Sequence, residues 1–146
     1  MYKRILVSLD GSATSNKALA AALSLAREVG GQVRLLHAVD ELAYLGGMEY
    51  SGAVIQVARE NAQKVLSDAA AIAESAGVDV DRNLVDKPGQ RLGETVRDEA
   101  LAWKADLIVV GTHGRRGIGR VFLGSGAEQV IRLAPVPVLV VRADAA

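Results

Sequence analysis

The stretch Asp106-Leu107-Ile108-Val109-Val110-Gly111-Thr112-His113-Gly114, continued further on by Leu123-Gly124-Ser125-Gly126, decides the architecture. Asp106–Gly111 is a short and almost wholly apolar run, the pattern of a strand buried on both faces. A glycine-rich loop follows that carries His113, Arg115, Arg116 and Arg120, and a helix opens at about Ser125. Strand, glycine loop and helix start together aim backbone amides at an anion. Glycine admits close approach, and a helix N-terminus adds partial positive charge. A strand buried on both faces also needs parallel neighbours and helices above and below it, so the same stretch calls for an α/β fold.

The rest of the chain alternates in the same way. Lys3–Leu9 is an apolar run bounded by Asp10-Gly11-Ser12 and reads as a buried strand. Ser12 or Thr14 can cap a helix whose face is Leu19, Ala22, Leu23, Ala26 and Val29, and Gly30-Gly31 stops it. Gln32–Val39 is a second strand. After the glycine- and acid-bearing segment Asp40–Ser51, a long helix carries the stripe Ala58, Ala62, Val65, Leu66, Ala69, Ile72 and Ala76, ending at Gly77. Val78–Val85 alternates apolar with acidic residues, the period of a half-exposed strand at a sheet edge. Asp86-Lys87-Pro88-Gly89 is a turn, and Leu92, Val96 and Ala100 mark a third helix. The helix after Ser125 turns Val130 and Ile131 inward and stops before Pro135. Pro137–Val141 is a fifth strand, where Pro137 fits only at the start or on an edge. Five strands alternating with four helices predict a doubly wound, parallel five-stranded sheet with helices on both faces, in one domain over residues 1–146. In such sheets ligands bind beyond the carboxyl ends of the strands, where the winding reverses.

Composition removes several classes of function. With 17 Lys+Arg against 17 Asp+Glu, the chain has no net charge and lacks the basic surface of a nucleic-acid binder. One Trp, three Tyr and one Phe leave little for base stacking. The absence of cysteine excludes disulfides, thiolate metal sites and cysteine nucleophiles, and two histidines (His37 and His113) are too few for a histidine metal cluster. No apolar run is long enough for a membrane span or a signal core, so a cytoplasmic protein without a membrane partner is expected. Alanine outnumbers every other residue, which suits helix faces packed close on a β-branched sheet. The even charge is a global balance. Three arginines and a histidine still gather in the single loop between Gly111 and Gly124.

That loop matches neither common phosphate motif. Gly114-x4-Gly119 is followed by Arg120-Val121 rather than Lys and Ser/Thr, and Gly117-x-Gly119 has Phe122 in place of a third glycine. Asp86 invites comparison with a phospho-accepting receiver, but only Asp10 stands where a receiver needs an acidic cluster. His37 reads as a satisfied interior histidine, and Trp103 as packing at a helix end.

Gly111-x2-Gly114-x9-Gly124-Ser125 resembles the G-x2-G-x9-G-[S/T] signature of the universal stress protein family. Lys3–Ser12 is similar to the family's opening strand, Leu35–Val39 to its second, and Ala134–Val141 to its last, in order and over essentially the whole chain. The resemblance implies a Rossmann-like fold of the adenine nucleotide alpha hydrolase type and the binding of ATP, with Mg2+. It implies that Asp10 accepts from the ribose hydroxyls, with Ser8 and Leu9 beside the nucleoside and the main chain of Ala38 reading the adenine edge. It places Gly111 under the ribose, and amides around Gly114, Arg115, Gly124, Ser125 and Gly126 on the phosphates. Gly126 stands where the family often has valine, and Ala127 lacks a hydroxyl that some members carry. A homodimer paired through the final strand is implied as well, and an apolar edge strand at Pro137–Val141 invites one on its own account.

The function expected is a nucleotide-dependent homodimeric switch in stress response or signalling, acting on a downstream protein that the sequence does not identify. No residue pair presents a base placed for an attacking water, so fast hydrolysis is not expected. Two alternatives stay open. One is a slow ATPase or phosphotransferase using His113, Arg115 and Arg116, and the other an interaction module without a nucleotide.

Overall fold

The computed structural model describes residues 2–39, 52–87, 89–112 and 124–142. In chain order the elements are β1 (Arg4–Ser8), α1 (Ala13–Val29), β2 (Gln32–Ala38), α2 (Gly52–Ser75), β3 (Val80–Val85), α3 (Leu92–Trp103), β4 (Leu107–Gly111), α4 (Ser125–Leu133) and β5 (Val138–Val141). The strands form one sheet in the order β3-β2-β1-β4-β5, every neighbouring pair parallel. Winding runs outward from β1 to β3 and then returns to β4 and β5. The reversal therefore lies between β1 and β4, as the alternating pattern predicts.

Alternation along the central strands divides the core into two layers. Ile5 and Val7 of β1, Val33 and Leu35 of β2 and Val109 of β4 pack under α1 and α2, with Leu19, Ala22 and Leu66 among the helix contacts. Leu6, Leu36, Ile108 and Val110 point the other way, under Val96 and Ala100 of α3 and Ala127 and Val130 of α4. Ile5, Leu6, Val7 and Val109 are all fully buried. Each such side chain stabilises the fold by roughly 1.5–3 kcal/mol, which makes β1 and β4 the rigid base of whatever stands at their ends. Ala18, Ala22 and Ala26, buried at successive turns of α1, let that helix lie close on the sheet.

Caps agree with the expected boundaries. Ser12 caps α1, its Oγ accepting from Ser15 N at 3.1 Å, and Gly30 ends the helix at φ 67°. Gly77 follows α2 at φ 74°. β3 is an edge strand, as its alternation requires, and β5 forms the opposite edge.

Two stripe positions differ from expectation. Ile72 of α2 is 48% exposed, and Ala73 takes the buried place beside Leu66 and Ala69. At about 100° per residue, Ile72 sits roughly 90° from the centre of the Ala62-Leu66-Ala69-Ala73 stripe. Ile131 of α4 is 43% exposed. Gly126 and Gln129 of α4 meet α3, and Ala127 and Val130 meet the sheet, so Ile131 is turned away from α3. Among the described residues no element flanks α4 on that side.

The polar residues of β2 and β3 on the α3 side are tied into one network. Arg34 of β2 pairs with Asp81 through Nε–Oδ1 at 2.8 Å and Nη2–Oδ2 at 3.1 Å. Its Nη1 donates to Oε2 of the buried Glu99 at 2.8 Å, whose Oε1 accepts from Asn83 at 2.9 Å. Trp103, at the helix end expected for it, packs beneath Arg4 at 4.3 Å and Arg34 at 5.2 Å from its ring centre.

Candidate functional site

The carboxyl end of β1 runs into a turn that its own side chains hold. Asp10 Oδ1 accepts from Ser12 N at 2.9 Å, and Asp10 N donates to Ser15 Oγ at 3.3 Å. Gly11 takes φ 84°, a left-handed conformation that glycine adopts without strain. Ser15 is buried and acts twice, accepting from Asp10 and donating its own amide to the Ser12 cap. The Asp10 carboxylate is thereby fixed in direction, half-buried, and its Oδ2 has no partner among the described residues. Such an oxygen can accept from hydroxyls.

Next to it, Leu9 is buried and its main chain is fully used. Its N–H donates to Leu36 O at 2.8 Å, and its carbonyl accepts from His37 Nδ1 at 2.7 Å. A carbonyl only accepts, so Nδ1 of His37 carries the proton. His37 is thus the bonded, half-buried histidine expected of it, tying β1 to β2. Ser8 is the last residue of β1, and Ala38, the last of β2, lies one position beyond His37.

Across the reversal stands β4. Gly111 is its last residue, and a Cβ there would lie 2.7 Å from Thr14 Cγ2 and 3.1 Å from Thr14 O. The first turn of α1 is therefore pressed on the end of β4, which brings the Asp10 turn and Gly111 to the same rim of the sheet. Thr112 extends the ladder by donating its N–H to Val141 O at 3.0 Å, and its carbonyl accepts from Gly124 N at 2.7 Å. That second bond fixes the start of α4 directly beyond β4.

The two helices on this face have different N-termini. At α3, Glu94 Oε1 accepts from Arg91 N at 3.0 Å and Gln129 Oε1 from Gly93 N at 3.2 Å, so orphan amides are satisfied internally. At α4, Gly124 is the N-cap and has no side chain to offer. The amides of Ser125, Gly126 and Ala127 find no acceptor among the described residues. A helix start left open in this way attracts an anion. Ser125 is exposed, and Gly126 is half-buried against Leu92 of α3.

The described residues thus gather Ser8, Leu9, Asp10, Gly111, Gly124, Ser125 and Gly126 at the carboxyl ends of β1 and β4, with Ala38 at the end of the adjoining β2. Gly114 and Arg115 lie outside the described residues, as do His113, Arg116 and Arg120. Sequence reasoning passed over Ser15 and Thr112, and took Thr14 only as an alternative cap to Ser12, which the structure shows to be the cap. The spacing of Ser15 from Asp10 and the position of Thr112 inside the glycine signature were the available signals. Among the described residues no group of three or more His, Asp or Glu side chains could hold a metal ion.

Comparison with known proteins agrees with the fold. The model of the universal stress protein family matches residues 1–142. A universal stress protein of Methanocaldococcus jannaschii is 37% identical over 144 residues, covering 97% of this chain and 83% of that protein. The crystal structure of a family protein from Burkholderia pseudomallei superposes with a TM-score of 0.78 at 33% identity, covering 97% of each chain. The universal stress protein of Archaeoglobus fulgidus, whose structure holds dAMP, gives a TM-score of 0.72 at 26% identity over 96% of this chain and 98% of that one. The chain belongs to the universal stress protein family.

Proposed function

We propose that this protein binds ATP, with Mg2+, at the rim between β1 and β4 and acts as a nucleotide-dependent switch in stress response or signalling. The observation that carries this reading is the pairing of a fixed carboxylate at Asp10 with an open helix start at Gly124–Gly126, on the two sides of the reversal point. Asp10 Oδ2 would accept from the ribose hydroxyls, and Gly111 would let the sugar lie on the end of β4. The main chain of Ala38 would meet the adenine edge, while the amides of Gly124, Ser125 and Gly126, with the Ser125 hydroxyl, would hold phosphates. Gly114 and Arg115 would complete the phosphate side. Leu9, whose main chain is committed to Leu36 and His37, would contribute shape beside the nucleoside, next to Ser8.

The dAMP held by the Archaeoglobus fulgidus relative supports an adenine nucleotide as ligand. Magnesium suits the same donor set. It keeps several waters and is commonly held through substrate phosphates with one or two protein oxygens, so a dedicated carboxylate cage is not required. When bound, the ion would neutralise phosphate charge. The chain's own part is to bind and orient the nucleotide.

The whole chain would act as one domain in the cytoplasm. Among the described residues no helix is long and apolar enough to cross a membrane. A homodimer through β5 would cover Leu139 of that edge strand, which is 41% exposed, and would bring in Ile131 of α4, which is 43% exposed. The direct test is to denature freshly purified protein by heat and identify released nucleotides by mass spectrometry, with calorimetry on stripped protein. Adenine nucleotide in the supernatant, or ATP binding by the stripped chain, is the expected result. Absence of both overturns the reading.

A further inference from the structure

Thr112 is only 6% exposed, and its Oγ1 is buried with no hydrogen-bond partner, alone in this among the described side chains. A buried hydroxyl left unpaired is costly, and nearly all such groups in folded proteins find a partner. Valine would fill the same volume without that cost, so the hydroxyl needs a reason. Its direction supplies one. Ile108 and Val110 point into the layer under α3 and α4, while Gly111 abuts Thr14 of α1. The amide of Thr112 still follows the ladder, bonding to Val141 O, so the alternation turns its side chain to the α4 side. There its own carbonyl receives the amide of Gly124 at 2.7 Å, which sets the residue against the open first turn of α4.

An open helix start and a buried, unpaired donor at its mouth are independent features with one shared need, an anionic acceptor. We infer that the Thr112 hydroxyl is a further binding group of the site and donates to a phosphoryl oxygen held at the start of α4. The inference rests on the nucleotide reading above and deepens it. It also makes Thr112 selective for the phosphate end of the ligand, because Asp10 and Gly111 serve the nucleoside from the α1 side.

The test compares wild type, T112V and T112S by calorimetry with ATP (plus Mg2+) and with adenosine. T112V should weaken ATP roughly tenfold, the loss expected for one hydrogen bond to a charged acceptor. Adenosine binding should stay within about twofold, and T112S, which keeps the hydroxyl, should hold ATP near the wild-type level. The melting temperature of ligand-free T112V should equal or exceed that of wild type, since an orphan donor has been removed. ATP binding by T112V within about twofold of wild type overturns the inference. So does an equal loss for ATP and adenosine. A lower ligand-free melting temperature with unchanged ATP affinity would put the hydroxyl's partner inside the protein and overturn the inference as well. If T112V does not fold, T112A against T112S gives the same comparison. Wild type that binds ATP while T112V matches it refutes the role of Thr112 alone, whereas wild type that binds neither ligand refutes the nucleotide reading.

Discussion

Gly111 has no room for a side chain. A methyl group there would meet the Thr14 side chain at 2.7 Å and its backbone carbonyl at 3.1 Å, and the carbonyl belongs to the first turn of α1. Gly111→Ala should therefore push α1 off the end of β4, costing about 1–3 kcal/mol in urea denaturation as overpacked sites do. Because the same turn carries Asp10, ATP affinity should fall with stability. Asp10→Ala separates the two effects. It removes one bond to Ser12 N and a carboxylate open to ligand, so stability should drop by only about 1 kcal/mol while ATP binding weakens at least tenfold. Unchanged ATP binding by D10A would remove the ribose contact. Asp10, Gly111 and the Gly124–Gly126 start were legible in the sequence because glycine and acid types at strand ends carry their chemistry openly. Thr112 was not. An orphaned hydroxyl is defined by what surrounds it, and residue type alone does not disclose that.

At the scale of elements, strand and helix order followed from periodicity, since the central strands are apolar on both faces and each helix has an apolar stripe. The errors fell at stripe margins. Ile72 and Ile131 are apolar at helical spacing, yet whether a marginal position is covered depends on the neighbouring element, which a single helix's pattern does not contain. The network at Arg34 was equally hidden, because its partners Asp81 and Glu99 are far apart in the chain. Glu99→Ala should strand part of that network, leaving Arg34 Nη1 and the Asn83 amide without an acceptor. We expect a loss of roughly 2–3 kcal/mol in chemical denaturation, with ATP binding within about twofold of wild type. The hydrogen bond to Asp81, against opposing desolvation and with help from Glu99, raises the Arg34 guanidinium above its ordinary value. A group raised on folding contributes below its unfolded pKa and loses that contribution only as pH rises through the folded one. The Arg34 share of stability should thus be constant between about pH 6 and 9, and the difference between wild type and Arg34→Met should not change across that range.

For the whole molecule, the order β3-β2-β1-β4-β5 leaves two edges of different character. Asp79, Asp81 and Arg82 along the β3 edge are exposed, and charge of that kind protects an edge from pairing. The β5 edge instead offers Leu139 and, on the overlying α4, Ile131. Light scattering should show a dimer for wild type and a monomer for the double variant I131D/L139D, with the monomer still folded by circular dichroism. A wild-type monomer at micromolar concentration would contradict the edge as a self-pairing surface. The zero net charge gave no hint of an anion site, because the open amides of α4 carry partial charges that no residue count includes. The central claim, that the rim between β1 and β4 is a nucleotide site, is tested most directly by titrating stripped protein with ATP and Mg2+ in a calorimeter, wild type beside Asp10→Ala. Saturable binding of one nucleotide per chain, weakened at least tenfold by the substitution, is the expected outcome. No saturable heat from wild type, or equal affinity in both proteins, would contradict it.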